Sequence, residues 1–408
     1  MNSLTPSELT TLNRDWRFWA RDKQLPPDGD WFVWLMQSGR GTGKTWVGSH
    51  LVIEHAREYP RFPIALVGQT KADVRDTMVE VGDSSILNVS PPDFRPDYEP
   101  SKRRLTWKNG AVAMIYSGDE PDQLRGPQHG FAWVDELAKF KYPQETWDNL
   151  EMGLRLGPNP QIAVTTTPRP ILIIRQLLAD PDVVVTREST FENIANLSPR
   201  FIERLKAKYE GTRLGRQELY GDILEDTPGA LWKRDVLDAG RVKDYPHLVR
   251  IVVAIDPAVT ATEDSDETGI IVAGVDDKGV GYVLDDLTVK ASPDAWARRA
   301  VEAYHRHHAD RIVAESNNGG DMVEHTIRTV DRTVSLKQVK ASRGKYTRAE
   351  PIAAMYEQGR IHHVGLFAEL EDQLCTWVPG DDSPDRLDAM VWALTDLMIS
   401  RGGAWILR

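Results

Sequence analysis

Cysteine is almost missing from these 408 residues: Cys375 stands alone. That excludes an internal disulfide framework and any cysteine-rich zinc site, and it fits a reducing compartment. No apolar run approaches the roughly 18 residues that a membrane-spanning helix needs. The first thirty residues are polar and charged, so neither a secretory leader nor a membrane anchor is expected. Net positive charge is also lacking. The balance of −11 argues against a protein coated in nucleic-acid-binding surface. Local basic patches remain open, because the field in a groove is set by the charges nearest it. There is no internal repeat and no low-complexity tract. What is left is a soluble, intracellular chain, 41% hydrophobic, long enough that two domains are the default.

The first half alternates short apolar runs with helical stretches. Strands are expected at 31–36, 64–67, 104–107, 112–116, 131–134, 162–166 and 183–186, and helices at 44–58, 71–80, 144–152 and 199–209. This alternation predicts an α/β fold with a mostly parallel sheet covered by helices. Between about 211 and 245 the rhythm is lost to glycine, proline and mixed charge, as in a lid and linker. The second half restarts with a strand, a hairpin, a helix, a strand, a helix, a strand and further helices. The expected division is 1–225, with a lid near 190–225, then a linker 226–247, then 248–408.

One stretch of the first half carries chemistry. "WLMQSGRGTGKTWVG", residues 34–48, runs from a strand through a glycine-rich loop into a helix. It is a phosphate-binding loop with Ser38 where the first glycine of the pattern stands. Gly39, Gly41 and Gly43 supply the positive-φ freedom, so Ser38 need not break the turn. Backbone N–H groups of Ser38, Gly39, Arg40, Gly41, Thr42 and Gly43 would face ATP phosphates, with Lys44 on the β- and γ-phosphates and the Thr45 hydroxyl on Mg²⁺. The strand 131–134 then ends in Asp135, expected in the Mg²⁺ shell, and Glu136, expected to polarise the attacking water.

In the second half, Asp256 closes the strand "RIVVAID", Glu315 closes "RIVAE", and Asp385 begins the helix "DRLDAMVWALTDLMI". A sheet that brings the first and fourth strands together makes the first two converge, and a helix crossing that edge delivers the third. Gathered carboxylates hold Mg²⁺ or Mn²⁺, and a pair of ions about 3.5–4 Å apart activates water and stabilises a leaving phosphodiester oxygen. Asp388, one turn after Asp385, shares its helix face and is a fourth ligand or a partner of one. Glu263, Asp264, Asp266 and Glu267 read as a solvated acidic loop, and His305, His307 and His308 as a polar helix end. Two basic stretches could contact DNA phosphates. One carries Arg200, Arg204, Lys206, Lys208, Arg213 and Arg216 and reads as a solvated face. The other carries Lys337, Lys340, Arg343, Lys345 and Arg348 and reads as a groove.

"GRGTGKT", "LRGPQHGFAWVDELA" and "AVTTTPRP" resemble the ATPase domain of the large terminase subunit of tailed bacteriophages. "DPAVTATEDSDETGIIVAG", "AESNNGG", "GKYTRAEPIAAMYEQGR" and "SPDRLDAMVWAL" resemble its ribonuclease H-like nuclease domain, so the resemblance covers nearly the whole chain. It implies a motor that drives double-stranded DNA into a procapsid by ATP hydrolysis and a metal nuclease that cuts concatemeric DNA. It marks Asp256, Glu315 and Asp385 as metal carboxylates, Arg40 as the loop's characteristic arginine, and Thr165, Thr166 and Thr167 as coupling residues. It points to Gln24, in "RDKQLPP", as an adenine contact. It also matches Arg125 with an arginine finger, a group worth about 10³–10⁵ in rate. The implied partners are a portal protein, a small terminase subunit and further copies of the chain in a homo-pentamer, in the host cytoplasm. Two alternatives share the motifs: an ATPase-nuclease of defence or recombination, and an ATPase adaptor with an inert nuclease-like domain.

Overall fold

The structure, a computed structural model, describes residues 5, 12, 15–209, 219–220, 226–257, 267–315, 320–340, 345–381 and 384–399. It divides into two compact units, Met1–Glu225 and Asp226–Arg408.

The strands of the first unit are β1 (Val33–Ser38), β2 (Ile64–Gly68), β3 (Asp97–Glu99), β4 (Arg104–Thr106), β5 (Val112–Ser117), β6 (Phe131–Asp135), β7 (Gln161–Thr166) and β8 (Val183–Glu188). They form one sheet in the order β3-β4-β5-β2-β6-β7-β1-β8. Only β3-β4 and β4-β5 pair antiparallel, so the expected mostly parallel sheet is present. β1, β2 and β6 are buried along their whole lengths. Their near-continuous apolar runs reflect a parallel sheet covered on both faces.

Helix Lys44–Glu58 follows Gly43, whose φ of 87° is left-handed, and buries Val47, Val52, Ile53 and Ala56. It lies so close to β6 that a Cβ on Gly48 would stand 2.0 Å from Trp133. The stretch expected as one helix over 71–80 begins as Lys71–Asp73 with a Thr70–Asp73 capping box, then widens to a π-helix over Val74–Glu80. Strand β3 has no alternating apolar pattern and was not expected. The helix Leu172–Ala179, also unexpected, comes from an apolar run whose period does not separate helix from strand. The lid expected near 190–225 lies in part outside the described residues. Arg213, Arg216 and the side chain of Lys208 fall there too. Arg200, Arg204 and Lys206 are exposed.

The second unit holds β9 (Leu248–Asp256), β10 (Gly269–Asp276), β11 (Gly281–Asp286), β12 (Arg311–Glu315), β13 (Leu336–Val339) and β14 (Ile361–His363) in the order β13-β12-β9-β10-β11-β14. β9, β10 and β11 are antiparallel neighbours. β12 lies parallel to β9, and β14 parallel to β11. The first and fourth strands are thus side by side in a mixed sheet, as expected. Successive side chains of β9 face opposite ways. Val252 and Ala254 join the core beneath helices Lys345–Glu357, Ala368–Thr376 and Asp385–Leu394. Val253 and Ile255 join the core beneath Pro293–Arg306 and Gly320–Val330.

Residues 226–247, expected as a linker, are instead built into this unit. Trp232 and Leu237 are 2% exposed in its core, Leu237 carried by the helix Arg234–Ala239. The mixed charge that looked like a loop has buried partners. Arg241 makes two hydrogen bonds to the fully buried Glu371, at 2.6 and 2.9 Å.

Candidate functional site

Each unit concentrates its candidate residues at the carboxyl ends of strands. In the first, the loop after β1 lines a cavity of about 790 Å³ together with Lys44, Thr45, Glu136, Lys139 and Thr167. Gly41 and Gly43 take the positive-φ positions, at 72° and 87°, and Ser38 does not, so serine costs the turn nothing. The loop's carbonyls are taken by side-chain donors, three of which, Arg21, Gln24 and Asn193, line the same cavity. Thr190 Oγ1 donates to Arg40 O at 2.7 Å and Asn193 Nδ2 to Gly41 O at 2.6 Å. Thr42 O accepts from Arg21 Nη2 at 2.6 Å and from Gln24 Nε2 at 2.9 Å. The Gly39 N–H is spent on Glu188 O at 3.0 Å, and the N–H groups from Gly41 to Lys44, at the turn into the helix, are those that fit a nucleotide phosphate chain.

Lys44 Nζ donates to Ser38 O and Gly39 O, both at 3.0 Å, and lies 3.9 Å from Glu136. Burial would raise the Glu136 carboxyl, but Lys44 and Lys139, with hydrogen bonds from Thr167, hold it below the usual range. Asp135 is pushed the other way, by burial and then by the charge of Glu136. Its Oδ1 accepts from Thr165 Oγ1 at 2.6 Å, across the β6-β7 register that pairs these residues. Arg40 and Gln24 also line the cavity. Arg125 is not in that lining. Its side chain is 71% exposed, 3.4 Å from Asp122 and 3.3 Å from Asn149 Oδ1.

In the second unit, Asp256 ends β9 and Glu315 ends the adjacent β12. Asp385 and Asp388 open the helix Asp385–Leu394, and Asp388 is 3% exposed. The four converge. Burial, and then the charges of Asp388, Glu315 and Asp385, push the Asp256 carboxyl up to about 8. The helix reaches this edge because β10 begins with glycine: a Cβ on Gly269 would stand 2.1 Å from the Asp385 carbonyl oxygen. Glu315 Oε2 accepts from Trp392 Nε1 at 2.6 Å, and the Arg348 guanidinium lies 4.2 Å from the centre of the Trp392 ring. Lys345 Nζ stands 2.9 Å from Asp388 Oδ2. As the side chains lie, no group of three acidic, histidine or cysteine side chains among the described residues is drawn tightly enough to hold a metal ion. The donor set is nonetheless all carboxylate, the chemistry that suits Mg²⁺ or Mn²⁺.

Several expectations change. Lys345 and Arg348, expected in a DNA groove, lean on the acidic cluster. Lys337 is paired with the buried Asp396, which also binds Arg250. Glu267 is bound to the buried Arg386, while 263–266 and Arg343 lie outside the described residues. His305 pairs with Asp331 at 2.8 Å, and His307 lies 3.4 Å from Asp285. Arg21, Thr190 and Asn193 were not legible as site residues, since each reaches the loop from a distant segment; Lys139, three residues after Glu136, and Trp392, on the helix of Asp385 and Asp388, were within sequence reach but carried no motif. Arg21 also had a local signal, three residues before Gln24.

Residues 35–238 match the family model of the terminase large subunit, T4likevirus-type, N-terminal, and residues 253–397 match that of the terminase RNaseH-like domain. No curated protein matches the chain. Among solved structures, the chain is similar to the large terminase of a thermophilic bacteriophage, at 13% identity and a TM-score of 0.45, covering 95% of this chain and 98% of that one. It is similar to the large terminase ATPase domain of Thermus phage P74-26, at 16% and 0.42, over 51% of this chain and 98% of that one. The HK97 bacteriophage large terminase is similar at 15% and 0.39, over 96% and 95%.

Proposed function

The chain belongs to the terminase large subunit family, and from that membership we propose which of its residues carry out the two chemistries of a DNA-packaging motor, ATP hydrolysis and DNA cleavage. The observation that supports the ATPase assignment is a shared cavity: Lys44 and Glu136 stand 3.9 Å apart on its wall, beside a glycine-rich loop whose carbonyls are taken by side-chain donors. The loop cradles the phosphates through the N–H groups of Gly41, Thr42 and Gly43, while Ser38 and Gly39 shape its start, the Gly39 N–H being bonded to Glu188 O. Lys44 leaves the carbonyls of Ser38 and Gly39 for the β- and γ-phosphates. Thr45 and Asp135 hold Mg²⁺, which supplies charge neutralisation at the phosphates. Glu136, kept ionised beside Lys44 and Lys139, orients and deprotonates the attacking water. Gln24 and Arg40 complete the nucleotide site. Arg125, exposed and outside its own cavity, serves the site of a neighbouring subunit in a homo-pentamer.

In the second unit Asp256, Glu315, Asp385 and Asp388 would hold two divalent cations, Mg²⁺ or Mn²⁺, which would supply an activated water and charge stabilisation for the leaving oxygen of a phosphodiester. The chain's own part is to fix the four carboxylates, with Trp392 orienting Glu315. The motor acts on double-stranded DNA at a procapsid portal in the host cytoplasm, with a small terminase subunit supplying the start site. Among the described residues no helix is long and apolar enough to cross a membrane.

The test is nicking of supercoiled plasmid with Mg²⁺ or Mn²⁺. Cleavage lost in Asp256→Asn and Asp385→Asn but kept in Lys44→Ala is the expected result. Lys44→Ala should abolish ATP hydrolysis alone. Cleavage that survives both aspartate variants would remove the acidic cluster from the reaction. Genomic neighbourhood separates packaging from a defence nuclease, since portal and capsid genes accompany a terminase.

A further inference from the structure

The helix Lys345–Glu357 brings a cation to the four carboxylates. Lys345 Nζ is 2.9 Å from Asp388 Oδ2, and Asp256 and Glu315 also act on its charge. Asp388 is buried and has the strongest effect of the three carboxylates that crowd Asp256. Lys345 is the opposite kind of group, with a side chain 48% exposed on a flexible stem that can swing into solvent.

Resting on the reading that these carboxylates hold divalent cations, we infer that Lys345 is a built-in competitor of the metal, the counter-ion of the acidic cluster that must leave Asp388 before a cation can bind there. A metal–oxygen bond of about 2.0–2.1 Å on an oxygen that also holds an ammonium sets two positive charges side by side. One of them has to go. Arg348 cannot take the ammonium's place. Its guanidinium is stacked on Trp392 and reaches Glu315 only at 3.9 Å, whereas Lys345 alone of the two bonds Asp388. The consequence is a nuclease whose metal loading is opposed by its own side chain. A lysine that merely braced the helix would leave metal affinity unchanged or weaken it when removed. A competitor strengthens it.

The experiment is calorimetric titration of Mn²⁺ into the nucleotide-free full-length chain, comparing wild type, Lys345→Met, Lys345→Arg, Asp256→Asn and the Lys345→Met/Asp256→Asn double variant. Lys345→Met should bind Mn²⁺ roughly two- to fivefold more tightly, the factor matching the worth of a half-exposed ion pair. Lys345→Arg, which keeps the charge, should restore affinity toward wild type, and the double variant should bind more weakly than Lys345→Met but more tightly than Asp256→Asn. Unchanged or weaker binding in Lys345→Met, with Asp256→Asn impaired, overturns the competitor role and leaves the metal site standing. Equal binding by wild type and Asp256→Asn removes the metal site and the competitor with it.

Discussion

Thr167 Oγ1 donates to Glu136 Oε2 at 2.7 Å, and it does so from the strand-end segment next to the one that carries Glu136. Glu136 needs the support. Its φ is 57°, a left-handed conformation that costs a side-chain-bearing residue about 1–2 kcal/mol. Its N–H is also tied, to Thr165 O at 2.6 Å. A candidate base held in a strained backbone by two neighbours of one strand is pre-organised rather than free to rotate. Thr167→Val, which keeps the shape and removes the donor, is expected to lower kcat for ATP hydrolysis about tenfold, a part of the roughly 10²–10⁴-fold that a whole general base supplies, with little change in KM. A steady-state assay measures both. An unchanged kcat would mean that Glu136 is positioned without the hydroxyl.

Gly48 is the point where the phosphate-loop helix meets β6. Gly48→Ala forces a methyl against Trp133, whose Nε1 is already bonded to Thr165 Oγ1 at 2.8 Å. Overpacking of this kind costs about 1–3 kcal/mol or more, and the displacement acts on Lys44 and on the β6-β7 edge together. A lowered melting temperature of the first unit and weaker ATP binding are expected. Retention of both would show that the helix can slide.

Trp392 does two jobs through different atoms. Its ring stacks with Arg348, and its Nε1 donates to Glu315. Trp392→Phe keeps an aromatic face and deletes the donor. The expected result is a tenfold or greater loss of metal-dependent plasmid nicking, since such supporting hydrogen bonds are typically worth about 10–100-fold in metal affinity or activity. Chemical denaturation should show only a small loss of stability. Full nicking activity in this variant would count against a positioning role.

Glu371 gives a pH prediction away from both sites. It is fully buried, and burial would raise its carboxyl. The charge and hydrogen bonds of Arg241, and a hydrogen bond with His363, hold it far below the carboxylate range instead. A depressed folded-state value means that the interaction is present above the unfolded carboxyl's ordinary value of about 4.3 and is lost as pH falls below it. Glu371→Gln removes one of the two carboxylate partners of Arg241, which keeps Asp238 at 2.8 Å, and so costs the protein stability. The gap in urea stability between wild type and variant should therefore be widest near neutral pH and narrow as pH drops below about 4. A gap that does not change with pH would mean that the loss is one of packing.

The chain by itself determined the elements that are local. The turn of Gly41 and Gly43 into helix Lys44–Glu58, the acidic end of β6, and the strands that end in Asp256 and Glu315 follow from φ requirements and from apolar runs a few residues long. Those signals do not depend on what lies across the sheet. Only the tertiary structure decided what the remaining charges do. Lys345 and Arg348 look like a DNA-facing stretch in one dimension. The order β12-β9-β10, with a helix laid over Gly269, places their targets within reach and turns them toward Asp388 and Glu315. Arg21 and Asn193 brace the loop after β1 from opposite ends of the first unit, and Arg241 meets Glu371 across 130 residues of sequence. The physical reason is that an ion pair's partner is set by distance in space. A charge in a sequence carries its sign and its neighbours, not the sheet order that chooses its partner.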